Sequence, residues 1–355
     1  MVRWLSHRYR IVLFDKDPQC PLRREADSFH PHGFEDVDPI SNVLSDEDQL
    51  AAIVSYSAHP AALRTTAFLS ATFNLHANPT HLVDATLDKA IWPRLALNTG
   101  FALPEQLTIT EYLQADDFVS KHDGYVLKRR KDTHGGRDVY YAGPLHDRLA
   151  SLSSNEQDQF LLQRRIIGNE YSVDAGISRS RIHTLSITRK QTRKGSAGVR
   201  IVSLSALDED SLPASKEANL LTCLQNLVEN CGIETTVLSL DVIHSNDTFF
   251  LIDMGFLLDM KVDAAWYALG NNPYAFLSKR FEHLLPENIY PTQLRGWKLV
   301  FEYHEDNFSL AANKSTQLPS DNPRTSRIIA SETSGGINPL DLHHTWLVQD
   351  SLRKI

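Results

Sequence analysis

The spacing of apolar positions changes several times along this chain, and each change marks a new element. Arg10 to Phe14 form a short apolar run that Asp15-Lys16-Asp17-Pro18 stops, the pattern of a buried parallel strand. Asp46 to Tyr56 and Ala61 to Asn74 carry apolar residues at helical spacing, with His-Pro and Asn-Pro breaks around them. The first ~80 residues therefore predict an α/β layer. Asp84 to Asn98 predicts a helix with an acidic start, kinked at Pro93 and stopped at Gly100.

From Tyr125 the period falls to that of strands. GYVLK, DVYYAG, FLLQRRI, EYSVDAGIS, RIHTLSIT and VRIVSLS predict an antiparallel sheet region. Ser215 to Asn230 sets Leu220, Leu221, Leu224 and Leu227 on one helix face, and Cys231-Gly232 closes it. TTVLSLDVI and TFFLIDMG then predict two strands joined by the polar turn HSND. From about Pro286 the pattern weakens, and residues 314–337, rich in Ser, Asn, Pro and Gly, predict a loop-rich C-terminal segment.

A length of 355 residues predicts two or three packed units. With 36 Lys+Arg against 44 Asp+Glu the net charge is -8, which argues against a general nucleic-acid binder. No run approaches the ~18 apolar residues of a membrane span, and the N-terminus lacks the apolar stretch of a secretory signal. Three cysteines, at positions 20, 223 and 231, are too few for a disulfide framework. A reducing, cytoplasmic setting is expected.

Three groups of residues carry candidate chemistry. Lys128 ends a strand and is followed by KDTHGGRD, where paired glycines let successive N–H groups close over an anionic oxygen beside Lys128 and Arg137. An ordinary hairpin turn is the alternative. Glu170, Ser172 and Asp174 alternate onto one sheet face, where carboxylates take ribose hydroxyls or, on alternation alone, face solvent. Asp241 and Asp253 sit inside apolar strands, so each must be paired, hydrogen-bonded or metal-bound. Such a pair suits Mg²⁺ or, equally, salt bridges to Lys or Arg. Asp259, Lys261 and Asp263 follow as outer ligands or a helix face. RKQTRKGSAGVR, which contains Arg200, reads by default as a solvated charged loop, and none of the 15 histidines has metal-ligand spacing.

Taken in order, these segments resemble the ATP-grasp family over about residues 84 to 265, in particular its carbamoyl-phosphate-synthase-like and amino-acid-ligase branches. The likeness is carried by Asp84-Ala-Thr-Leu-Asp-Lys89 with Gly100-Phe-Ala-Leu-Pro104, by GYVLKRRKDTHGGRDV, by QRRIIGNEYSVD, and by LDVI followed by FFLIDMG. The resemblance implies an α/β (α+β) ATP-grasp fold over residues 84–285, with a lid over about 110–160. A shortened N-terminal α/β domain would occupy residues 1–83, and a C-terminal segment residues 286–355.

It also implies ATP and Mg²⁺ as cofactors and an activity joining a small carboxylic acid to an amine, with no nucleic-acid or membrane partner. Lys89 and Lys128 would then contact phosphates, and His134, Gly135, Gly136 and Arg137 would cover them. Gln163, Arg164, Arg165 and Ile166 would form the hinge against adenine, and Glu170 would hold the ribose. Asp241 and Asp253 would hold the metal, and Arg200 would stabilise the transferred phosphoryl group. Two positions depart from the family pattern: Arg164-Arg165 stand where an acidic and an aromatic residue are usual, and Gly255 stands in place of an Asn ligand. Rival readings are bicarbonate activation and a degenerate ATP-binding regulatory or scaffold protein. Leu340 to Leu347 reads as a cover over the site or as a homodimer contact.

Overall fold

The computed structural model describes residues 5–6, 9–55, 59–114, 124–131, 139–195, 198–206, 212–256, 297–302 and 327–332. Three sheets organise them. The smallest pairs β1 (Val12–Phe14) with β2 (Ser28–His30), parallel as expected but half-buried. Helices α1 (Val37–Ser45) and α2 (Pro60–Thr72) pack beside it, burying Ile40, Leu44 and Leu69 against Phe14, Val37 and Phe73. In α2 the His59 ring accepts from the Ala61 N–H and Pro60 occupies the first turn, so the His-Pro break begins the helix.

Two expected helices fall elsewhere. The element anticipated from Asp46 lies earlier, because α1 has Asp38 and Pro39 in its first turn and stops at Ser45. Asp46-Glu47-Asp48 would place negative charge on its carbonyl end, which the helix dipole disfavours. Leu50 and Ile53 pack on the core without helical backbone, and Tyr56 lies outside the described residues. The helix expected from Asp84 to Asn98 is replaced by α3 (Thr80–Thr86) and a separate 3₁₀ turn at Trp92–Arg94, with Pro93 in that turn. Between them Asp88 forms an isolated bridge with Lys131, and the Lys89 N–H donates to the Arg130 carbonyl at 3.0 Å. A tertiary pairing has overridden a short helical pattern.

The four-stranded sheet runs β3-β6-β4-β5, all antiparallel: β3 (Gln106–Thr108), β4 (Tyr125–Arg129), β5 (Val139–Tyr141) and β6 (Phe160–Arg164). Its outer face is closed by α4 (Ile109–Gln114) and α5 (Ala142–Ser151), over a core of Ile109, Tyr112, Tyr125, Leu127, Phe160 and Leu162. By alternation Val126, Lys128, Leu161 and Gln163 turn the other way.

The seven-stranded sheet comprises β7 (Asn169–Ser178), β8 (Arg181–Gly195), β9 (Gly198–Ala206), β10 (Thr235–Ser245), β11 (Thr248–Gly255), β12 (Trp297–Glu302) and β13 (Arg327–Glu332). Their order is β11-β10-β7-β8-β9-β12-β13. The charged run expected as a loop is a hairpin instead: β8 continues to Gly195, and Arg193 pairs with Arg200 across it. The C-terminal segment likewise contributes β12 and β13, which extend the sheet beyond β9. Their apolar runs are short and separated by long polar stretches, which is why the pattern reads as loop. Leu340 to Leu347 lies outside the described residues.

Helix α6 (Ala214–Asn230) buries Leu220, Leu224, Leu227 and Val228 against Val173, Ala175, Ile187, Leu238 and Leu240. Gly100 is required beneath it: its φ is +95°, and a Cβ there would lie 2.8 Å from Cys223 Sγ. The chain enters the four-stranded sheet past Ala102, whose N–H donates to the Phe249 carbonyl at 2.9 Å and whose carbonyl accepts from Leu251 at 3.0 Å. It returns through Gly168, where a Cβ would overlap the His244 carbonyl oxygen. His244 and Phe249 are register partners with ring centroids 4.7 Å apart, so both necks dock on the β10–β11 hairpin.

Candidate active site

The face of the large sheet opposite α6 is polar, and strand register arranges it in rows. Asp253, Asp241, Ser172 and Thr188 form one row across β11, β10, β7 and β8. Gly255, Ser239, Asp174 and Ser186 form the next, and on the other side Glu170 pairs with Lys190. The two aspartates thus face each other directly across the hairpin. Asp174 meets neither expectation for it: it is fully buried and accepts from the hydroxyls of Ser239 at 2.6 Å and Ser172 at 3.1 Å. The buried hydroxyl oxygens of Ser186 and Thr188 have no hydrogen-bond partner among the described residues.

Three ammonium groups meet three carboxylates at this face. Lys190 Nζ lies 2.7 Å from Glu170 Oε1 and 2.7 Å from Asp241 Oδ2, with its side chain 6% exposed. Burial alone would lower its pKa, but Asp241 and then Glu170 outweigh that and raise it, so the ammonium is retained. Asp241 therefore makes the salt bridge that its sequence context allowed. Lys190 itself was missed, hidden in a charged run read as loop. The readable signal was strand alternation, which keeps it in phase with Ser186 and Thr188.

Lys89 Nζ lies 3.6 Å from Asp253 Oδ2. Lys128 reaches from the smaller sheet, donating to Gln163 Oε1 at 2.6 Å and to the Ile252 carbonyl at 3.4 Å. A bulge makes the second bond available: Asp241 pairs with Asp253 but Val242 with Leu251, so Ile252 has no partner on β10. Burial, with Lys89 adding to it, pulls the Lys128 pKa down to about 8, against the opposing pull of Asp253, Glu170 and Asp241.

A buried carboxylate ties these pieces together. Asp88 accepts from Arg130 Nε at 2.7 Å and from the Ala90 N–H at 2.9 Å, and lies 3.4 Å from Lys131 Nζ. Burial would raise its pKa, but the Arg130 and Ala90 hydrogen bonds and the charges of Arg130 and Lys131 lower it overall. Lys89 and the end of β4 are thereby held side by side.

No protein-family model matches the sequence, and no curated protein matches it either. Solved structures do. L-amino acid ligase from Bacillus licheniformis superposes with a TM-score of 0.64 at 12% identity, covering 93% of this chain and 86% of that one. N5-carboxyaminoimidazole synthetase from Staphylococcus aureus, solved with ADP, gives 0.63 at 10% identity, covering 85% and 79%. The biotin carboxylase domain of Hydrogenobacter thermophilus 2-oxoglutarate carboxylase, solved with MgADP and bicarbonate, gives 0.62 at 10% identity over 84% and 70%. The chain has the ATP-grasp fold.

Within this ATP-grasp fold the expected residues divide into those brought together, those at the hinge, and those left undescribed. Lys89, Lys128, Gln163, Glu170, Asp241 and Asp253 are brought together where Lys128 of the four-stranded sheet reaches the seven-stranded one. His134, Gly135, Gly136 and Arg137 lie outside the described residues, as do Asp259, Lys261 and Asp263. Arg200 is the third residue of β9, opposite Arg193; its side chain is likewise outside the description.

At the hinge two backbone donors are already committed, Arg164 to the Glu105 carbonyl at 2.8 Å and Arg165 to the Gly124 carbonyl at 2.7 Å. The Arg165 guanidinium stands 5.5 Å from the centre of the Tyr141 ring, whose phenol is raised in pKa by burial and by Glu170. A cavity of about 440 Å³ opens against Arg164, Arg165 and Ile166, bounded by Leu103 to Glu105 and the β10–β11 turn. Among the described residues no three His, Cys, Asp or Glu side chains gather as a metal cluster, and no helix is long and apolar enough to cross a membrane. All three cysteines are free thiols.

Proposed function

We propose that this chain is an ATP-dependent ligase that joins a small carboxylic acid, an amino acid or similar metabolite, to an amine through an acyl phosphate. The observation that carries the reading is the convergence of Lys89, Lys128 and Lys190 with Glu170, Asp241 and Asp253 between two sheets of an ATP-grasp fold. Lys89 and Lys128 would hold the phosphates, Glu170 the ribose, and the hinge from Gln163 to Ile166 the base.

The donor set fits magnesium: two carboxylates face each other across one hairpin, and Mg²⁺ accepts one or two carboxylates with phosphate oxygens and water completing its shell. Asp241 and Asp253 would hold it, with water or phosphate where Gly255 offers no side chain. Bound there, the ion would neutralise charge on the transferring phosphoryl group. The remaining work is positioning, which phosphoryl transfer demands more than covalent help. Lys128, buried, and Lys89, half-buried, would orient the chain of phosphates, while a carboxylate oxygen of the acid attacks the terminal phosphorus in line and the bond to the bridging oxygen breaks, so that ADP leaves. The amine then displaces phosphate from the acyl carbon.

The test is ADP release from ATP and Mg²⁺ across an array of acids paired with amines, bicarbonate included. Stimulation by an acid–amine pair supports the ligase, and stimulation by bicarbonate alone favours a carboxylase-type reaction. MgADP binding without turnover on any pair overturns catalysis and leaves a nucleotide-binding regulatory protein, a second reading that Gly255 favours. Asp253→Asn is expected to abolish Mg²⁺-dependent turnover.

A further inference from the structure

Lys190 lies on β8 and Asp241 on β10, with β7 between them, so two strand spacings, about 10 Å, separate their backbones. The lysine stem crosses the face of β7 and brings one ammonium within 2.7 Å of Glu170 and of Asp241. These are the carboxylates read above as the ribose and metal ligands, and Lys190 is absent from that assignment. With every group charged, Lys89, Lys128 and Lys190 balance Glu170, Asp241 and Asp253. Replacing Lys190 by a neutral residue leaves the cluster with one excess negative charge.

We infer that Lys190 is a positioning residue that serves as a built-in counter-cation, holding Glu170 and Asp241 together and competing with the divalent metal for Asp241. The inference rests on the nucleotide reading of the site. It has a consequence that a purely structural ion pair lacks, because removing the ammonium acts in opposite directions on the two ligands. A cation approaching Asp241 no longer competes with that ammonium and binds better. An anionic nucleotide without metal meets uncompensated carboxylates and binds worse. Metal and nucleotide sites joined through one side chain are linked, and linkage is reciprocal.

The experiment uses the full chain, with Mn²⁺ binding followed by electron paramagnetic resonance and ADP binding by calorimetry. Against wild type, Lys190→Gln is expected to bind Mn²⁺ alone about tenfold more tightly and metal-free ADP about tenfold more weakly. Lys190→Arg, which keeps the charge, is expected to stay near wild type on both. Unchanged or weaker Mn²⁺ binding by a folded Lys190→Gln overturns the inference. Should that variant fail to fold, Glu170→Gln leaves Lys190 with Asp241 as its remaining carboxylate partner and is expected to weaken Mn²⁺ binding; unchanged or tighter binding overturns it equally. Wild type that binds no MgADP ends the nucleotide reading and this inference together, whereas wild type that binds MgADP beside an unaltered Lys190→Gln ends this inference alone.

Discussion

The ammonium of Lys128 donates to the side-chain oxygen of Gln163, 2.6 Å away on a neighbouring strand and 35 residues along the chain. That bond holds a charge under the smaller sheet that burial works to remove, with its pKa near 8 against an ordinary 10.5.

Phosphate binding needs the protonated form, so affinity for MgADP is expected to be flat below about pH 8 and to fall above it, by up to tenfold per pH unit. The stability linkage has the opposite sense. Between about 8 and 10.5 the folded chain binds fewer protons at this site than the unfolded chain, so this group adds stability as pH rises. Calorimetry from pH 7 to 9.5 checks the first part, and an affinity independent of pH would refute it. In Lys128→Met both trends should vanish, with binding lost and the thermal midpoint unchanged or raised.

Asp88 is a different case, a buried carboxylate with its charge satisfied by Arg130. Asp88→Asn is expected to cost about 2 kcal/mol near neutral pH, since it weakens a charged hydrogen bond to a buried acceptor. Because the folded pKa is lowered, that contribution is present above the unfolded value of about 3.9 and is lost as pH falls through the folded one. Urea unfolding of both proteins from pH 7 to pH 3 should show a constant gap that closes below about pH 4.

Thr188 buries a hydroxyl that has no partner among the described residues. Thr188→Val keeps the shape and removes the polar atom, so stability is expected to stay level or rise by up to about 1 kcal/mol. A loss larger than about 1 kcal/mol in the urea midpoint, at constant slope, would reveal a bond to that oxygen.

Gly168 has no room for a side chain against the His244 carbonyl. Gly168→Ala must shift backbone, and a cost of about 1 to 3 kcal/mol is expected. Hydrogen exchange should locate the damage at the end of β10 and in the adjoining neck; uniform protection equal to wild type would contradict the contact.

Much of this site could be read from the chain because it depends on short-range rules. Asp241 and Asp253 sit on strands whose turn, Asn246-Asp247, adopts positive φ at both residues, and that local geometry fixes their opposition. Lys128 was visible as a charge closing an apolar strand. Lys190 was not, because only pairing with β7 shows that its position is buried. Asp88 was hidden for a related reason: the pattern around it reads as helix, and a bridge from forty-odd residues away displaces that helix. The division of the predicted strands into two sheets was equally beyond local patterning, since nothing in the runs themselves says which neighbour each will choose.

The docking of both necks on the β10–β11 hairpin makes residues 103–167 an insert with neighbouring ends. Ala102 runs along the outer edge of β11 and Gly168 leads into β7 beside β10, three strand spacings or about 14 Å apart. A short bridge could span that gap, so the spacing suits exchange of the smaller sheet as a unit, provided the bonds of Lys128 to Ile252 and of Arg130 to Asp88 are kept or replaced. Grafting it from another protein of this architecture would replace Lys128 and the hinge while leaving Lys190 and both aspartates on their own scaffold.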